Sequence, residues 1–220
     1  MGVSALDKTN IRLAFHKTGR AVFISHLALM RVFQRAFYRA QLPLRYTEGF
    51  NPHAYVSIAL PLPLGMESLC ERLDFGVAAE FDTAALPGVL NNLLPEGIVV
   101  TGAEAAKRPI SEAKFVDTWF DADTSCGAQR LRELFSGPVI VDKRTKKGMA
   151  KLDIAPLIKH IEFADDGGRV TGRAVICAQA PGLSPEYIEA AAREYADPDA
   201  VIRFVRKKLL DADEKLFDCM

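Results

Sequence analysis

The sequence predicts an α+β fold in two tandem units, residues 1–108 and 109–220, each carrying helices on an antiparallel sheet. Three observations predict it. Apolar residues fill 49% of the 220 positions and charged residues 25%, as in an ordinary soluble globular protein, and the length fits one large domain or two of about 100 residues. Two-residue and helical periods alternate along the first half in the order β-α-β-β-α-β, the ferredoxin-like split motif. A comparable order recurs after Ala103–Ser111, a small-residue, charged segment containing Pro109 that reads as a linker. The expectation is therefore two tandem ferredoxin-like (βαββαβ) domains with antiparallel sheets.

The first strand is Ile11–His16, where Ile11, Leu13 and Phe15 alternate with Arg12, Ala14 and His16. Ser25 is a good N-cap for a helix running to Gln41, with Met30, Phe33, Phe37 and Ala40 as core stripe and Pro43 as stop. Arg45–Leu60 predicts a strand or two strand segments, broken at Gly49 and Pro52. Leu69–Ala79 predicts a further strand, Asp82 a cap for a helix over Thr83–Leu94, and Gly97–Gly102 a last short strand. In the second half Phe115–Ala122 reads as a strand and Ala128–Phe135 as a helix. Pro138–Lys151 reads as a strand or a hairpin turning at Lys147-Gly148. Leu157–Phe163 and Val170–Gln179 flank the turn Asp165-Asp-Gly-Gly168. Ser184-Pro185-Glu186 opens a helix, and Ala200–Leu209 reads as a final strand whose Arg/Lys content leaves a helix open.

The chain is formally neutral, with 28 basic and 28 acidic residues, but the charge is uneven. Residues 1–60 hold eight Lys/Arg against two acids, whereas residues 61–137 hold six against twelve. A basic N-terminal portion on a neutral chain points to a localised patch. Four scattered cysteines form neither a metal knuckle nor a disulfide framework. No apolar run reaches the length of a membrane span, and the N-terminus lacks a signal peptide's apolar core. These features predict a cytoplasmic protein without a membrane partner.

Arg31, Arg35 and Arg39 recur every four residues along one helix flank. No acid lies between Arg31 and Arg45, so intrahelical ion pairs do not account for the ladder. Guanidinium forks at this spacing suit a phosphate backbone; an ordinary solvated helix face is the plainer alternative. Arg45, past the helix, joins the expected phosphate-binding set. In Glu48-Gly-Phe-Asn-Pro-His53, Gly49 permits close approach or positive φ. Phe50, Asn51 and His53 there offer contacts to unpaired bases, unless Phe50 packs inward on a simple turn. Lys143, Arg144, Lys146 and Lys147, with Lys151, crowd an expected hairpin tip and would extend a nucleic-acid footprint.

Catalysis would fall to a histidine in the basic region, with His26 and His53 the candidates for a metal-independent endoribonuclease. The glycine motifs of P-loop and Rossmann sites are missing, and four histidines come without clustered ligands. The reading therefore expects no metal, no cofactor and, on balance, no enzyme.

The block Ser25-His-Leu27, Arg31, Arg35-Ala36, Arg39-Ala40, Leu42-Pro43, Tyr46, Gly49-Phe-Asn-Pro-His53, Ser57, Pro61-Leu62 and Gly65 resembles the bacterial radical-SAM-linked proteins. A fainter match continues through Lys143–Asp153 and Pro181–Glu186. That family is uncharacterised, and its members are encoded beside, or fused to, a radical-SAM protein. The resemblance implies such a protein, encoded nearby, as partner. This chain lacks Cys-x-x-x-Cys-x-x-Cys, the cluster-binding run a radical-SAM enzyme needs, so it would serve one and not be one.

The same block is similar to the repeat-associated RNA-binding proteins of CRISPR systems, which use tandem ferredoxin-like domains. In some of them a histidine near the first helix cleaves RNA, which would correspond to His26. The glycine-rich loop those proteins carry near the C-terminus is not evident here. The expectation that results is a non-catalytic accessory protein binding RNA, tRNA among the candidates, and acting with a radical-SAM enzyme. The alternatives are the histidine ribonuclease and a protein-interaction module with no nucleic-acid role.

Overall fold

A computed structural model describes residues 10–79, 82–146, 148–179 and 181–217. The chain is mixed α+β, mostly antiparallel sheet with few helices. It divides into two compact units, the first ending at Ile110 and the second covering Ser111–Phe217.

The first unit runs β1 (Asn10–Lys17), α1 (His26–Arg39), β2 (Val56–Ile58), β3 (Glu67–Gly76), α2 (Leu86–Asn91) and β4 (Ile98–Ala105). Its strands pair antiparallel in the spatial order β4-β1-β3-β2. Alternation in β1 sorts the faces: Ile11, Leu13 and Phe15 enter a core shared with α1, while Arg12 meets Asp74 on β3 in two bonds of 2.7 and 2.8 Å. Rings run through that core from Phe15 to Phe33 (4.9 Å between centroids), Phe37 (5.9 Å) and Phe75 (4.5 Å). Truncating one such buried ring to alanine costs about 3–5 kcal/mol.

Ser25 caps α1 as expected, its Oγ accepting from Ala28 N–H at 3.3 Å. The buried stripe is Leu29, Phe33, Ala36 and Phe37; Met30 and Ala40, expected in the core, are only half-buried. The helix ends at Arg39, short of Gln41, in a Schellman turn. Gln41 takes φ +54°, and Leu42 N–H donates to Phe37 O while Gln41 N–H donates to Tyr38 O. Pro43 follows this stop and does not cause it.

The expected strand over Arg45–Leu60 shrinks to Val56–Ile58, because Gly49 and Pro52 turn the preceding residues into a loop joined by isolated bridges at Leu44–Val77 and Tyr46–Ala54. The helix expected from Thr83 begins only at Leu86, since Pro87 has no N–H to donate backwards; Asp82 caps the turn before it, accepting from Ala84 N–H at 2.9 Å. β4 extends to Ala105 and so takes up the start of the expected linker.

The second unit runs β5 (Phe115–Asp123), α3 (Ala128–Leu134), β6 (Ile140–Thr145), β7 (Gly148–Asp153), β8 (Ile158–Asp166), β9 (Arg169–Cys177), α4 (Glu186–Tyr195) and β10 (Val201–Leu210). Its sheet has the antiparallel order β10-β5-β9-β8, and β6–β7 form a separate two-stranded ribbon between α3 and β8. Gly167 and Gly168 turn the β8–β9 hairpin, and Asp165 just before them accepts from Ala128 N–H at 2.8 Å, capping α3.

Ile202, Phe204, Arg206 and Leu209 face inward on β10, which settles the last element as a strand. Ser184 does not cap α4: its hydroxyl bonds Glu186, and the helix begins after Pro185. No helix among the described residues is long and apolar enough to cross a membrane.

Candidate nucleic-acid interface

α1 lies with one face in the core, so its opposite flank is committed to solvent by geometry. Arg31, Arg35 and Arg39 are exposed there, and the parallel row Gln34–Tyr38 runs beside them. These five side chains line a shallow cleft of about 360 Å³. Tyr38 is 77% exposed, so the cleft offers an aromatic face between cations. Arg31 and Arg35 have no ion-pair or hydrogen-bond partner among the described residues. Arg39 differs, donating weakly to Leu93 O at 3.4 Å. Tyr38 and Gln34 were not singled out from sequence; their signal was position, three residues from Arg35 and Arg31 and off the apolar stripe.

Arg45 is not part of that cleft. Its guanidinium donates to Asn10 Oδ1 at 2.8 Å, lies 5.0 Å over the Tyr55 ring and covers Gly76. A Cβ on Gly76 would stand 2.6 Å from Arg45 Nε, so a side chain there would push the guanidinium aside. The guanidinium thus fastens the loop to the start of β1, while the Arg45 backbone N–H donates to Gly76 O on β3 at 2.9 Å, and the role of Arg45 is structural first.

The loop itself is closed on its own backbone. Thr47 N–H donates to His53 O at 2.8 Å, and His53 N–H donates to Thr47 Oγ1 at 3.2 Å. His53 Nδ1 lies 3.1 Å from Thr47 Oγ1 and 3.2 Å from Asn51 O, and Nε2 has no bond among the described residues. Gly49 sits at φ +123°, a conformation side chains resist, and Phe50 next to it is held completely outside, at 112% exposure. The inward-packing alternative for Phe50 is thereby removed. Tyr46 and Tyr55 add two more exposed rings around the loop, and Asn51 and His53 are exposed with them.

The catalytic candidates gain no acid–base pairing. His26 is half-buried in the first turn of α1, and neither it, His16 nor His53 bonds a titratable side chain among the described residues. Burial, and then the charge of Arg72, push the His16 pKa down. The one histidine–carboxylate pair among the described residues is His160 with Glu214, at 3.1 Å in the second unit. No group of three or more His, Cys, Asp and Glu among those residues is placed to hold a metal ion.

The second cationic group rides on the β6–β7 ribbon. Arg144 and Lys146 are exposed and Lys143 half-buried, all without a charged partner among the described residues. Lys151 is neutralised by Asp142 at 2.9 Å, a hydrogen bond that raises its pKa. Lys147 lies outside the described residues. The ribbon's base is anchored: Val139 and Val141 are buried, and Tyr195 Oη–H donates to Ile140 O at 2.5 Å.

Comparison with known proteins adds a family and no activity. No curated protein matches the chain. A crystal structure described as an unknown protein from Galdieria sulphuraria aligns over 90% of this chain and 98% of its own, with 10% identity and a TM-score of 0.28, too low to relate the folds. A family model described as "Uncharacterized protein conserved in bacteria (DUF2344)" matches residues 10–185, which takes in the whole first unit from β1 and the second as far as the start of α4. The chain belongs to this family of uncharacterised bacterial proteins.

Proposed function

We propose that the chain is a cytosolic RNA-binding accessory protein that presents RNA, with tRNA the first to test, to a radical-SAM enzyme. The observation that carries the reading is the uncompensated ladder on α1. Arg31 and Arg35 stand exposed beside Tyr38, without a partner among the described residues, on a helix whose other face is locked into the core. Unpaired guanidinium forks are the groups best suited to phosphate, and the exposed Phe50 supports stacking on unpaired bases. Arg39, Asn51, His53, Lys143, Arg144 and Lys146 extend this footprint in the proposal, and Arg45 holds the loop in place. The strand orders β4-β1-β3-β2 and β10-β5-β9-β8 support reading both units as ferredoxin-like, the second with an inserted hairpin. The enzyme partnership rests on the resemblance of the Ser25–Gly65 block.

A specific observation favours a protein-docking side on the same unit. Phe23 and Leu27 are largely exposed at the start of α1, and Gly65 N–H donates to Val22 O at 3.0 Å, bringing exposed Leu64 to the same stretch. The two readings are separated by purifying the protein from its native cytosol and sequencing the RNA that accompanies it. One enriched RNA class, lost on replacing Arg31, Arg35 and Arg39 by alanine, is the expected result. RNA-free protein that co-elutes with the neighbouring radical-SAM protein in gel filtration would replace RNA binding with docking.

A further inference from the structure

The open face of the second unit's sheet carries a feature that α1 does not explain. β5 is a central strand, with Val116, Thr118, Phe120 and Ala122 buried on one side. The other side should therefore be polar, yet it presents Trp119, 52% exposed and the only tryptophan in the chain. Trp119 stands directly opposite Arg173 on β9 and Val205 on β10. The alternation within Phe115–Ala122 already puts this tryptophan on the polar side, a signal legible in the sequence.

The charges around it are not balanced. Asp117 is buried and held by Arg173 through bonds of 2.9 and 3.1 Å, and Asp121 is met by Arg169 at 3.3 Å. Two of the three acids on this side of β5 are thus neutralised from β9, and the third, Asp123, is exposed at the strand's end. On the β10 side Arg203 and Lys208 have no partner among the described residues. Lys207, at the bulge between Arg206 and Lys208, is 6.0 Å from the Trp119 centroid, the outer limit of a cation–π contact. A flat aromatic ring flanked by uncommitted cations suits a base and its phosphates. A protein partner would more often meet a wider apolar surface.

Beside the ring, on the same face, lies a cavity of about 570 Å³ that shares Arg173 and Lys208 and is also lined by His160, Glu162 and Glu214. That volume is in the range of small-ligand sites, and carboxylates at its wall can accept from the amino group of a base.

We propose that this face is a platform for single-stranded RNA, with one base stacked on Trp119, its phosphates on Arg203, Lys207 and Lys208, and the adjoining base in the cavity. The principle is general: four-stranded sheets bind unpaired RNA by stacking bases on aromatic side chains of their central strands. The platform shares the RNA class of the proposed function but not its site, and it stands or falls without α1.

Trp119 is its own reporter. An unstructured eight-nucleotide RNA carrying a fluorescent end label is titrated against the protein while label anisotropy and tryptophan emission are both read. Saturable quenching of Trp119 is expected in the parent protein and equally in the Arg31→Ala/Arg35→Ala/Arg39→Ala variant. Arg203→Ala with Lys207→Ala should weaken the quenching titration about 25-fold at 0.1 M salt, two single-strand phosphate contacts being lost. Trp119→Ala, followed by anisotropy in the α1 variant, should cost about 5- to 150-fold. Rising anisotropy with unchanged emission overturns the platform and leaves α1 as the binding face. Quenching that disappears in the α1 variant also overturns it, since the contact would then depend on the helix. No change in either signal overturns it as well.

Discussion

Replacing Arg31 and Arg35 together by alanine removes two exposed cations that have no ion-pair or hydrogen-bond partner among the described residues, so the perturbation is chiefly one of surface charge. If each neutralises one phosphate, the slope of log affinity against log salt should flatten by about 1.4 for a single strand or about 1.8 for a duplex. Extrapolated from 1 M salt, where counterion release contributes nothing, the loss at 0.1 M is then about 25- to 60-fold. Arg39 should contribute less than either, because part of its guanidinium is already held by Leu93 O at 3.4 Å.

The fold should be indifferent. Alanine is the best helix former, exposed substitutions stay within about 0.5 kcal/mol, and that is about 2–4 °C in Tm for a unit of this size. The assay is filter binding or anisotropy with co-purified RNA from about 0.05 to 0.5 M salt, beside a thermal melt. A parallel salt slope in a normally melting double variant would refute the assignment of α1 as the phosphate-binding face.

Phe50→Ala should leave the melting temperature unaltered, because the ring packs on nothing, while reducing affinity for unpaired RNA about 5- to 150-fold; equal affinity would show that the exposed ring is idle. Gly76→Ala should destabilise by about 0.5–1.5 kcal/mol in a denaturant titration, since its Cβ would stand 2.6 Å from Arg45 Nε and displace that guanidinium from its hydrogen bond to Asn10. A parental midpoint would mean that Arg45 has somewhere else to go.

Asp197 supplies the acid limb. The Thr124 hydroxyl (2.7 Å), then the backbone N–H groups of Ser125 and Asp199, hold its carboxyl at about 2, below an ordinary 3.8. A depressed folded-state value means that its stabilisation is complete above 3.8 and disappears as pH falls towards 2. Thermal melts of the parent and Asp197→Asn should diverge above that window and converge below it; equal pH slopes for the two would contradict this.

Order and type of element were legible because periodicity is a local property, and the boundaries that moved did so for tertiary reasons. In α1 the apolar positions Leu29, Met30, Ala36 and Ala40 admit two stripes one residue apart, and only contact with β1 and β3 selects the first. The reduction of Arg45–Leu60 to three strand residues reflects the same limit, since a strand exists only where a partner accepts its hydrogen bonds. Charge was legible, its employment was not. Arg31 and Arg45 look alike as letters, yet one is left to solvent while the other covers Gly76 and the Tyr55 ring, and no spacing rule announces those neighbours.

The neck of the β6–β7 ribbon bears on how this chain can lengthen or shorten. Ile154 N–H donates to Val139 O at 2.9 Å, and the Asp153 carboxylate accepts from both Val139 N–H (3.0 Å) and Ala155 N–H (3.1 Å). The chain therefore leaves the second unit and returns to it at one point, tied off before the exposed half of the ribbon begins. The exposed half, past the buried Val141, can be cropped, grown or swapped without either end noticing. In the laboratory it is the place to splice in a tag or a guest domain.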